Sequence, residues 1–135
     1  MKQLLIFALL FIGCQSYGQL KTTEIKDLAP KEEYSNIKVI PLHSDKNSSV
    51  FLIFVKLAVN KHKHQFHTEV VTVLDGKGMM YLGGETFPIR KGDHIIIPPN
   101  TAHAVVTTGK NPLKVLSVQS PEFLGHDRIF VDDKK

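Results

Sequence analysis

Four side chains with metal-binding chemistry lie within eight consecutive residues of this 135-residue chain. His62, His64 and His67 are followed closely by Glu69. Because side chains alternate between the two faces of a strand, His62 and His64 are predicted to share a face, and His67 and Glu69 to share a face in the next strand-like run. Two imidazoles and a carboxylate suit a divalent first-row transition metal.

A fourth ligand is expected from farther along the chain. His103 directly follows the turn Pro98-Pro99-Asn100-Thr101-Ala102, which would direct its ring back towards the other ligands. Three histidines and one carboxylate fill only part of a five- or six-coordinate shell, so about two positions would stay open to water, dioxygen or a chelating substrate. The competing interpretation is a solvated loop rich in Lys and His around His62.

The elements that must position these residues are predicted to be short β-strands. From Ile37 onward, apolar runs rich in β-branched residues alternate with turn signals at spacings of about 8–12 residues, which is typical of an all-β sandwich or barrel. No helical apolar period is sustained beyond residue 36. Val50–Val59 is apolar on both faces, which predicts one strand covered on both sides. The predicted strands are Ile37–Leu42, Val50–Val59, Val70–Leu74, Gly78–Leu82, His94–Ile97, His103–Thr107, Leu113–Gln119 and Arg128–Val131.

Two gapped motifs in this sequence resemble those of the cupin superfamily. The first family motif has the form His-x-His, three or four residues, Glu, six residues and Gly. The matching residues here are His62-Lys63-His64, then Glu69 after four residues and Gly76 after six more. The spacing of this chain therefore matches the first motif at every defined position.

The second family motif has the form Gly, five residues, Pro-x-Gly, two residues and His. The matching residues are Gly92, then Pro98-Pro99-Asn100 after five residues, and His103 after two more. The resemblance implies a double-stranded β-helix, or jelly-roll, cupin barrel that holds one divalent transition metal (Fe, Mn, Ni, Cu or Zn). The implied metal ligands are His62, His64, Glu69 and His103.

Three positions depart from the family pattern, and none of them is an implied ligand. Lys56 replaces a Gly six residues before His62, Asn100 replaces the Gly of the Pro-x-Gly turn, and Thr107 replaces an Asn four residues after His103. The change at Asn100 is mild, because Asn tolerates left-handed backbone better than most residues.

The fold alone does not determine the chemistry, because cupins share a scaffold and differ widely in activity. The resemblance implies a metal-dependent enzyme on a small oxygen-bearing molecule, of the dioxygenase, isomerase or lyase type. Glu69 could leave the metal to act as a base, and His67 and Tyr81 are further candidate catalytic residues. For His67 the competing interpretation is a histidine at the barrel rim, and for Tyr81 it is barrel packing.

The alternative function is a non-catalytic module that captures a sugar, a chelator or the metal itself. An enzyme would need an acid or base near the metal, whereas a binding module would need none. The resemblance also implies a homodimer. The formal net charge of +4 is spread over separate lysines with no run of five basic residues, so no nucleic-acid partner is expected.

Residues 1–18 are predicted to be a signal peptide. Lys2 precedes the ten-residue apolar run Leu4–Gly13, which is shorter than the roughly 20 residues of a membrane span and typical of a secretory signal. Cleavage before Gln19 is preferred, and a lipid anchor at Cys14 is the alternative. We therefore expect a periplasmic or secreted protein with no membrane span, in which an N-terminal arm (19–36) precedes the barrel domain (37–135).

Overall fold

The computed structural model describes residues 22–131, which form ten strands and no α-helix. The strands assemble into two antiparallel five-stranded sheets, which confirms the predicted all-β double-sheet fold. The strands are β1 (Ile37–Asp45), β2 (Ser48–Val55), β3 (Ala58–His64), β4 (Thr68–Asp75), β5 (Lys77–Leu82), β6 (Glu85–Arg90), β7 (His94–Ile97), β8 (His103–Thr107), β9 (Leu113–Ser120) and β10 (Arg128–Phe130).

The chain winds back and forth between the two sheets. The first sheet has the order β1-β2-β9-β4-β7, and the second has the order β10-β3-β8-β5-β6. Except at the β1–β2 and β5–β6 hairpins, each strand is followed by a strand of the other sheet. Alternating side chains from both sheets meet in one apolar core, where Val73 and Leu113 are each 1% exposed and Met80 packs from the opposite sheet.

The predicted single strand Val50–Val59 is wrong, because the chain bends at Lys56 and Leu57 between β2 and β3. The Asn36 side chain stabilises the bend: its Oδ1 accepts hydrogen bonds from the backbone N–H groups of Leu57 and Ala58 at 2.9 and 3.1 Å. The Leu57 side chain is 64% exposed at this point. The bend could not be recognised from composition, because almost all residues before and after it in this segment are apolar.

Strand β6 was not predicted, because its sequence lacks an apolar pattern. Gly83 and Gly84 have φ angles of +60° and +108° and form the two-residue loop of the β5–β6 hairpin. Ile89 is the only buried residue of β6. Pro88 cannot donate a ladder hydrogen bond, and it is tolerated because β6 lies at the edge of its sheet.

The three departures from the family pattern each have a structural counterpart. Asn100 adopts φ +60°, the left-handed conformation for which Asn is better suited than most residues. The Thr107 hydroxyl donates a hydrogen bond to the Val55 carbonyl at 2.9 Å and so ties β8 to the end of β2. The Lys56 ammonium donates to the Tyr34 carbonyl at 2.8 Å and lies 4.2 Å from the centroid of that ring.

Residues 22–36 form no strand and lie against the barrel. The Lys114 ammonium on β9 fastens this arm by donating hydrogen bonds to three backbone carbonyls at 2.8–2.9 Å, those of Ile25, Lys26 and Leu28. Asn36 and Tyr34 make the contacts with the β2–β3 bend described above. The arm is therefore attached to strand β9 and to the β2–β3 bend.

The predicted signal peptide at residues 1–18 lies outside the described residues, and so does the candidate lipid attachment site Cys14. The last described residue is Val131. Between residues 22 and 131, no helix has the length and apolar character needed to cross a membrane.

Candidate metal centre

Three strands bring the four predicted metal ligands together. His62 and His64 lie near the end of β3, Glu69 is the second residue of β4, and His103 is the first residue of β8. All four side chains are buried, and one ligand atom from each lies within 4.8 Å of the others. The structure therefore gathers into one cluster the set of residues expected from the motifs.

Strand pairing and one turn fix the relative positions of these ligands. His62 stands opposite His103 in the β3–β8 pair, with ring centroids 4.2 Å apart. The turn before His103 is held against the end of β3, because the Asn100 N–H donates a hydrogen bond to the His64 carbonyl at 2.7 Å. Glu69 belongs to the opposite sheet, so the cluster joins the two sheets of the barrel.

Backbone carbonyls orient two of the three imidazoles. The Nδ1–H of His62 donates to the Asn60 carbonyl at 2.8 Å, and the Nδ1–H of His103 donates to the Thr101 carbonyl at 3.0 Å. Since a carbonyl only accepts, each Nδ1 carries the proton and each Nε2 keeps a lone pair. Both rings therefore present Nε2 to the centre of the cluster. In known metal sites, a hydrogen bond at the other ring nitrogen orients the histidine in the same way.

The Glu69 carboxylate uses its two oxygens differently. Its Oε2 lies 3.4 Å from His64 Nε2 and 3.3 Å from His103 Nε2. Its Oε1 accepts hydrogen bonds from the Ser117 hydroxyl and, at 3.3 Å, from the Gln119 amide. Burial acts to raise the pKa of Glu69, but the adjacent imidazoles of His103 and His64 and the hydrogen bond from Ser117 outweigh burial and hold this pKa well below its ordinary value. The carboxylate is therefore ionised, as a metal ligand must be.

The donor set fits a divalent transition metal. The Nε2 atoms of His64 and His103 are buried and lack a hydrogen-bond partner among the described residues, although each lies close to Glu69 Oε2. Unpaired buried polar atoms are costly unless another group satisfies them. Ligands about 2.1 Å from a common ion stand roughly 3.0–3.4 Å apart. The separations of Glu69 Oε2 from His64 Nε2 and His103 Nε2, 3.4 and 3.3 Å, fall in that range.

His62 is also prepared for coordination. Burial, followed by the nearby His103, lowers the pKa of His62 to about 4. Arg128 and His64 act in the same direction, while the hydrogen bond to Asn60 opposes them. His62 is therefore neutral at physiological pH, and no proton has to leave its Nε2 before a metal binds.

The cluster forms part of the wall of a cavity of about 100 Å³ between the two sheets. Its polar side chains are His62, Glu69, His103 and Arg128, and aliphatic side chains and Met80 form the remaining walls. A ligand in this cavity would contact three of the four metal ligands directly. The arrangement can hold a metal on one wall and a small molecule beside it.

His67 lies behind the metal cluster and does not line this cavity. It is 2% exposed, its Nδ1 lies 2.7 Å from Asp127 Oδ2, and its ring centroid lies 4.2 Å from that of His64. Burial, followed by the neighbouring His64, lowers the pKa of His67, and Asp127 and Glu69 act against this shift. The structure therefore does not place His67 in this cavity; it lines a second pocket beyond His64.

Tyr81 is not brought to the cluster. On β5 the buried Met80 lines the cavity, so its neighbour Tyr81 projects from the opposite face of the strand. The Lys61 ammonium lies 4.1 Å from the centroid of the Tyr81 ring. The structure therefore does not place Tyr81 among the residues that line the cavity, and the reason is the two-residue period of the strand.

Asp127 is a buried member of the site that no sequence pattern predicted. Its Oδ1 lies 3.7 Å from His64 Nδ1, and its Oδ2 contacts His67 and accepts a hydrogen bond from the Phe66 N–H at 3.3 Å. The Asp127 carbonyl also accepts from the Gln65 N–H at 3.1 Å. Asp127 lies in a polar loop 63 positions after His64, so only the pairing of β10 with β3 brings the two together.

Ser117 and Gln119 were also not predicted as site residues, although the sequence carries a signal for them. They occupy alternate positions of β9, are 0% and 2% exposed, and interrupt the series of buried apolar residues that begins at Leu113. Two polar residues at a spacing of two on the buried face of a strand require buried partners. Here that partner is Glu69 on the neighbouring strand β4.

Comparison with known proteins identifies the family. The profile of the family described as cupin domain matches residues 55–119. An uncharacterized protein of Aquifex aeolicus is 35% identical over 111 residues, which cover 81% of this chain and 91% of that protein. This chain belongs to the cupin family.

Two further proteins are similar to this chain, one in sequence and one in structure. The oxalate-binding protein of Thermotoga maritima is 31% identical over 61 residues, which cover 45% of this chain and 50% of that protein. A double-stranded β-helix protein from Klebsiella pneumoniae superposes with a TM-score of 0.72 and 17% identity, covering 85% of this cupin and 100% of that chain. The Klebsiella structure supports the fold alone.

Proposed function

We propose that this cupin is an exported metal-dependent enzyme that acts on a small oxygen-bearing molecule, of the dioxygenase, isomerase or lyase type. The observation that supports this proposal is the convergence of four ligand atoms on the wall of an apolar cavity. A divalent metal bound there would polarise a coordinated oxygen as a Lewis acid or activate dioxygen.

The residues of the chain would bind the metal, orient the ligand set and exclude water. His62, His64, Glu69 and His103 would hold the metal, and the apolar walls would keep bulk solvent from the reacting atoms. Glu69 is the one carboxylate among the described cavity residues, so it is the candidate base. Hydrogen bonds from Ser117 and Gln119 to its Oε1 would keep the carboxylate oriented during proton transfer.

Elemental analysis tests the metal site. Untagged wild-type protein should carry about one metal ion per chain, and the double variant His62→Ala/His64→Ala should carry almost none. His43→Ala/His94→Ala is a matched control, because these histidines contact Asp45 and Thr72 and lie outside the cluster. No metal in the wild type, even after separate incubation with Fe, Mn, Ni, Cu and Zn, would contradict the proposal.

The second candidate is a non-catalytic binding module. The observation that favours it is that the described cavity residues include no acid or base apart from the metal ligands themselves, since Tyr81 and His67 do not line the cavity. The two candidates differ in turnover. An enzyme would convert a molar excess of a small organic acid, followed by NMR, whereas a binding module would leave the excess unchanged and retain a stoichiometric amount.

Export is part of the proposal and is supported by the sequence of residues 1–18. Fractionation of cells that express the full chain should recover the protein outside the cytoplasm, with a mature mass that corresponds to cleavage before Gln19. Mass spectrometry separates this route from lipidation, because a lipid-modified Cys14 would leave a longer and heavier chain. Retention of an intact N-terminus in the cytoplasm would refute export.

We also propose a homodimer, on the family resemblance and on the exposure of one sheet edge. Strand β1 is an edge strand, and its residues Ile37 and Val39 are 42% and 45% exposed. Light scattering on purified mature protein should give twice the chain mass at micromolar concentration. A single-chain mass across the accessible concentration range would contradict this proposal.

A further inference from the structure

We propose that the cavity beside the metal centre binds a small organic acid with an apolar body, whose carboxylate pairs with Arg128. This inference rests on the proposed function, because it names the class of molecule that would occupy the same site. The inference predicts that the cavity binds an apolar acid in preference to a sugar, a choice that the fold alone does not determine.

Arg128 lies on the strand next to the ligands. It is opposite His64 in the β10–β3 pair, and Phe130 is opposite His62. Directly opposite residues of an antiparallel pair share a face of the sheet, so Arg128 starts from the same face as the metal-binding histidines. Arg128 also lines the cavity and is exposed to solvent, which places it where an entering anion would meet it.

The guanidinium of Arg128 is held over an aromatic ring. Its Cζ lies 5.5 Å from the centroid of the Phe123 ring, and that ring lies 5.8 Å from the His64 ring. A guanidinium that packs on an aromatic face keeps its N–H donors available at the edge. None of the ion pairs among residues 22–131 includes Arg128, so its charge is not neutralised by a carboxylate of the described chain.

Arg128 matches the chemistry of a carboxylate. The planar fork of N–H donors pairs with a carboxylate through two parallel hydrogen bonds, and it is the only cation among the described residues that line the cavity. A ligand with its acid group at Arg128 would have its adjoining atoms beside the metal wall formed by His62, Glu69 and His103. The carboxylate end of the ligand would therefore lie at Arg128.

The rest of the cavity cannot satisfy a polyol. Away from Arg128 and the metal cluster, the described lining side chains have no polar atom; they include Val55, Val71, Met80, Ile97 and Leu113. A buried hydroxyl without a hydrogen-bond partner is costly, whereas a buried methylene is favourable. The walls therefore favour an aliphatic or aromatic body and disfavour a sugar acid.

The test uses two probes with the same charge and the same number of carbon atoms. Hexanoate and gluconate both carry one carboxylate on six carbons, but gluconate has hydroxyl groups along its body. In titration calorimetry with zinc-loaded mature protein, hexanoate should bind at least about tenfold more tightly than gluconate. Acetate should bind more weakly than hexanoate, by about fourfold for each methylene that the cavity buries.

Two variants test the assigned contact. Arg128→Gln should weaken hexanoate binding by about tenfold or more, because a charge-assisted pair is lost, and Arg128→Lys should fall between this variant and the wild type. Arg90→Gln is the matched control, since Arg90 lies on the edge strand β6 and does not line the cavity. Zinc content and thermal midpoint, measured for each variant, separate loss of the contact from loss of the fold.

The outcomes distinguish this inference from the proposed function. Hexanoate affinity that is unchanged in Arg128→Gln, or gluconate or oxalate binding as tight as hexanoate, would overturn the inference while leaving the metal site intact. If no preparation binds metal, the proposed function fails. The same titrations on the metal-free protein then decide the inference, because neither Arg128 nor the apolar walls depend on the metal.

Discussion

Two groups of buried histidines and acids meet at His64, and they differ in what lies beyond them. On one side, His64 joins His62, Glu69 and His103 beside the apolar cavity. On the other side, it faces His67 and Asp127, which connect β3 to the loop before β10. The same residue types therefore form a cavity group of four residues and, beside a second pocket, a support group of three residues that links β3 to the last strand.

The two groups differ in how their polar atoms are bound, although both keep buried atoms that have no hydrogen-bond partner among the described residues. In the cavity group, backbone carbonyls hold the outer nitrogens of His62 and His103, β9 side chains hold Glu69 Oε1, and the inner Nε2 atoms of His64 and His103 are without partners. In the support group, the His67–Asp127 contact at 2.7 Å joins two of the three residues, and His64 Nδ1, His67 Nε2 and Asp127 Oδ1 are without partners. We expect the four-residue cavity group to hold the metal, and the predictions below test this contrast.

Removing the negative charge of Glu69 should lower metal affinity more than any other change considered below. Glu69→Gln keeps the shape of the side chain but replaces the anionic ligand with a neutral amide. We expect metal affinity to fall by more than about 100-fold, since loss of outer partners alone costs 10–100-fold. Competition with a chromogenic chelator measures this change. Affinity within threefold of the wild type would show that Glu69 is not a ligand.

The matching change in the support group should have a smaller effect on the metal. Asp127→Asn keeps an acceptor for the Phe66 N–H but removes the negative charge beside His64 Nδ1. We expect metal affinity to fall by about 10-fold, because a carboxylate beside the outer nitrogen orients the ring and strengthens it as a ligand.

Asp45→Asn is the control for this variant, because Asp45 is an exposed carboxylate that contacts His43 and lies outside both groups. It should bind metal like the wild type. If Asp127→Asn abolished metal binding as fully as Glu69→Gln, Asp127 would have to be a ligand. The contrast between the two groups would then be wrong.

Acid should destabilise the metal-free protein through the cavity group. The pKa of His62 is about 4 in the fold and 6.5 when unperturbed, so the unfolded chain binds more protons between these values. The free energy of unfolding should therefore fall as pH drops from 6.5 to 4, by no more than about 3 kcal/mol for this group. Glu69, whose pKa in the fold lies well below its ordinary value of 4.5, should add to the loss as pH falls through and below 4.5.

Urea titrations at a series of pH values measure this dependence. In the metal-free His62→Gln variant, the slope between pH 6.5 and 4 should be shallower than in the wild type, because the group responsible has been removed. His94→Gln should keep the wild-type slope, since His94 lies on the exposed face of β7. A wild-type stability that rises as pH falls across this window would contradict the burial of a neutral His62.

Replacing His67 should affect stability more than metal binding. His67→Asn removes a ring that packs 4.2 Å from the His64 ring and leaves Asp127 Oδ2 without its imidazole partner. We expect a loss of about 1–3 kcal/mol in the free energy of unfolding, the usual cost of a buried polar group left unsatisfied. Metal affinity measured alongside should stay within about threefold. A large loss of metal with normal stability would place His67 among the ligands.

The sequence was informative wherever a short segment determines the geometry. His62 and His64 follow from strand alternation, and Asn100 follows from the turn that requires a left-handed residue. The bend at Lys56 and Leu57 could not be predicted, because it depends on backbone N–H groups that donate hydrogen bonds to the Asn36 side chain, about 20 positions away. Asp127 could not be predicted either, since only the pairing of the last strand with β3 brings it to His64.

Tyr81 is expected to show the smallest effect, because it lies outside both groups. Its ring contacts the Lys61 ammonium on the outer face of the sheet, and its neighbour Met80 occupies the cavity wall. Tyr81→Phe keeps the ring and removes only the hydroxyl, so stability should change by less than about 0.5 kcal/mol and metal affinity should not change. If the variant lost activity on any substrate without a change in stability, the Tyr81 hydroxyl would have to act as a proton donor. The reacting molecule would then have to contact the outer face of the sheet.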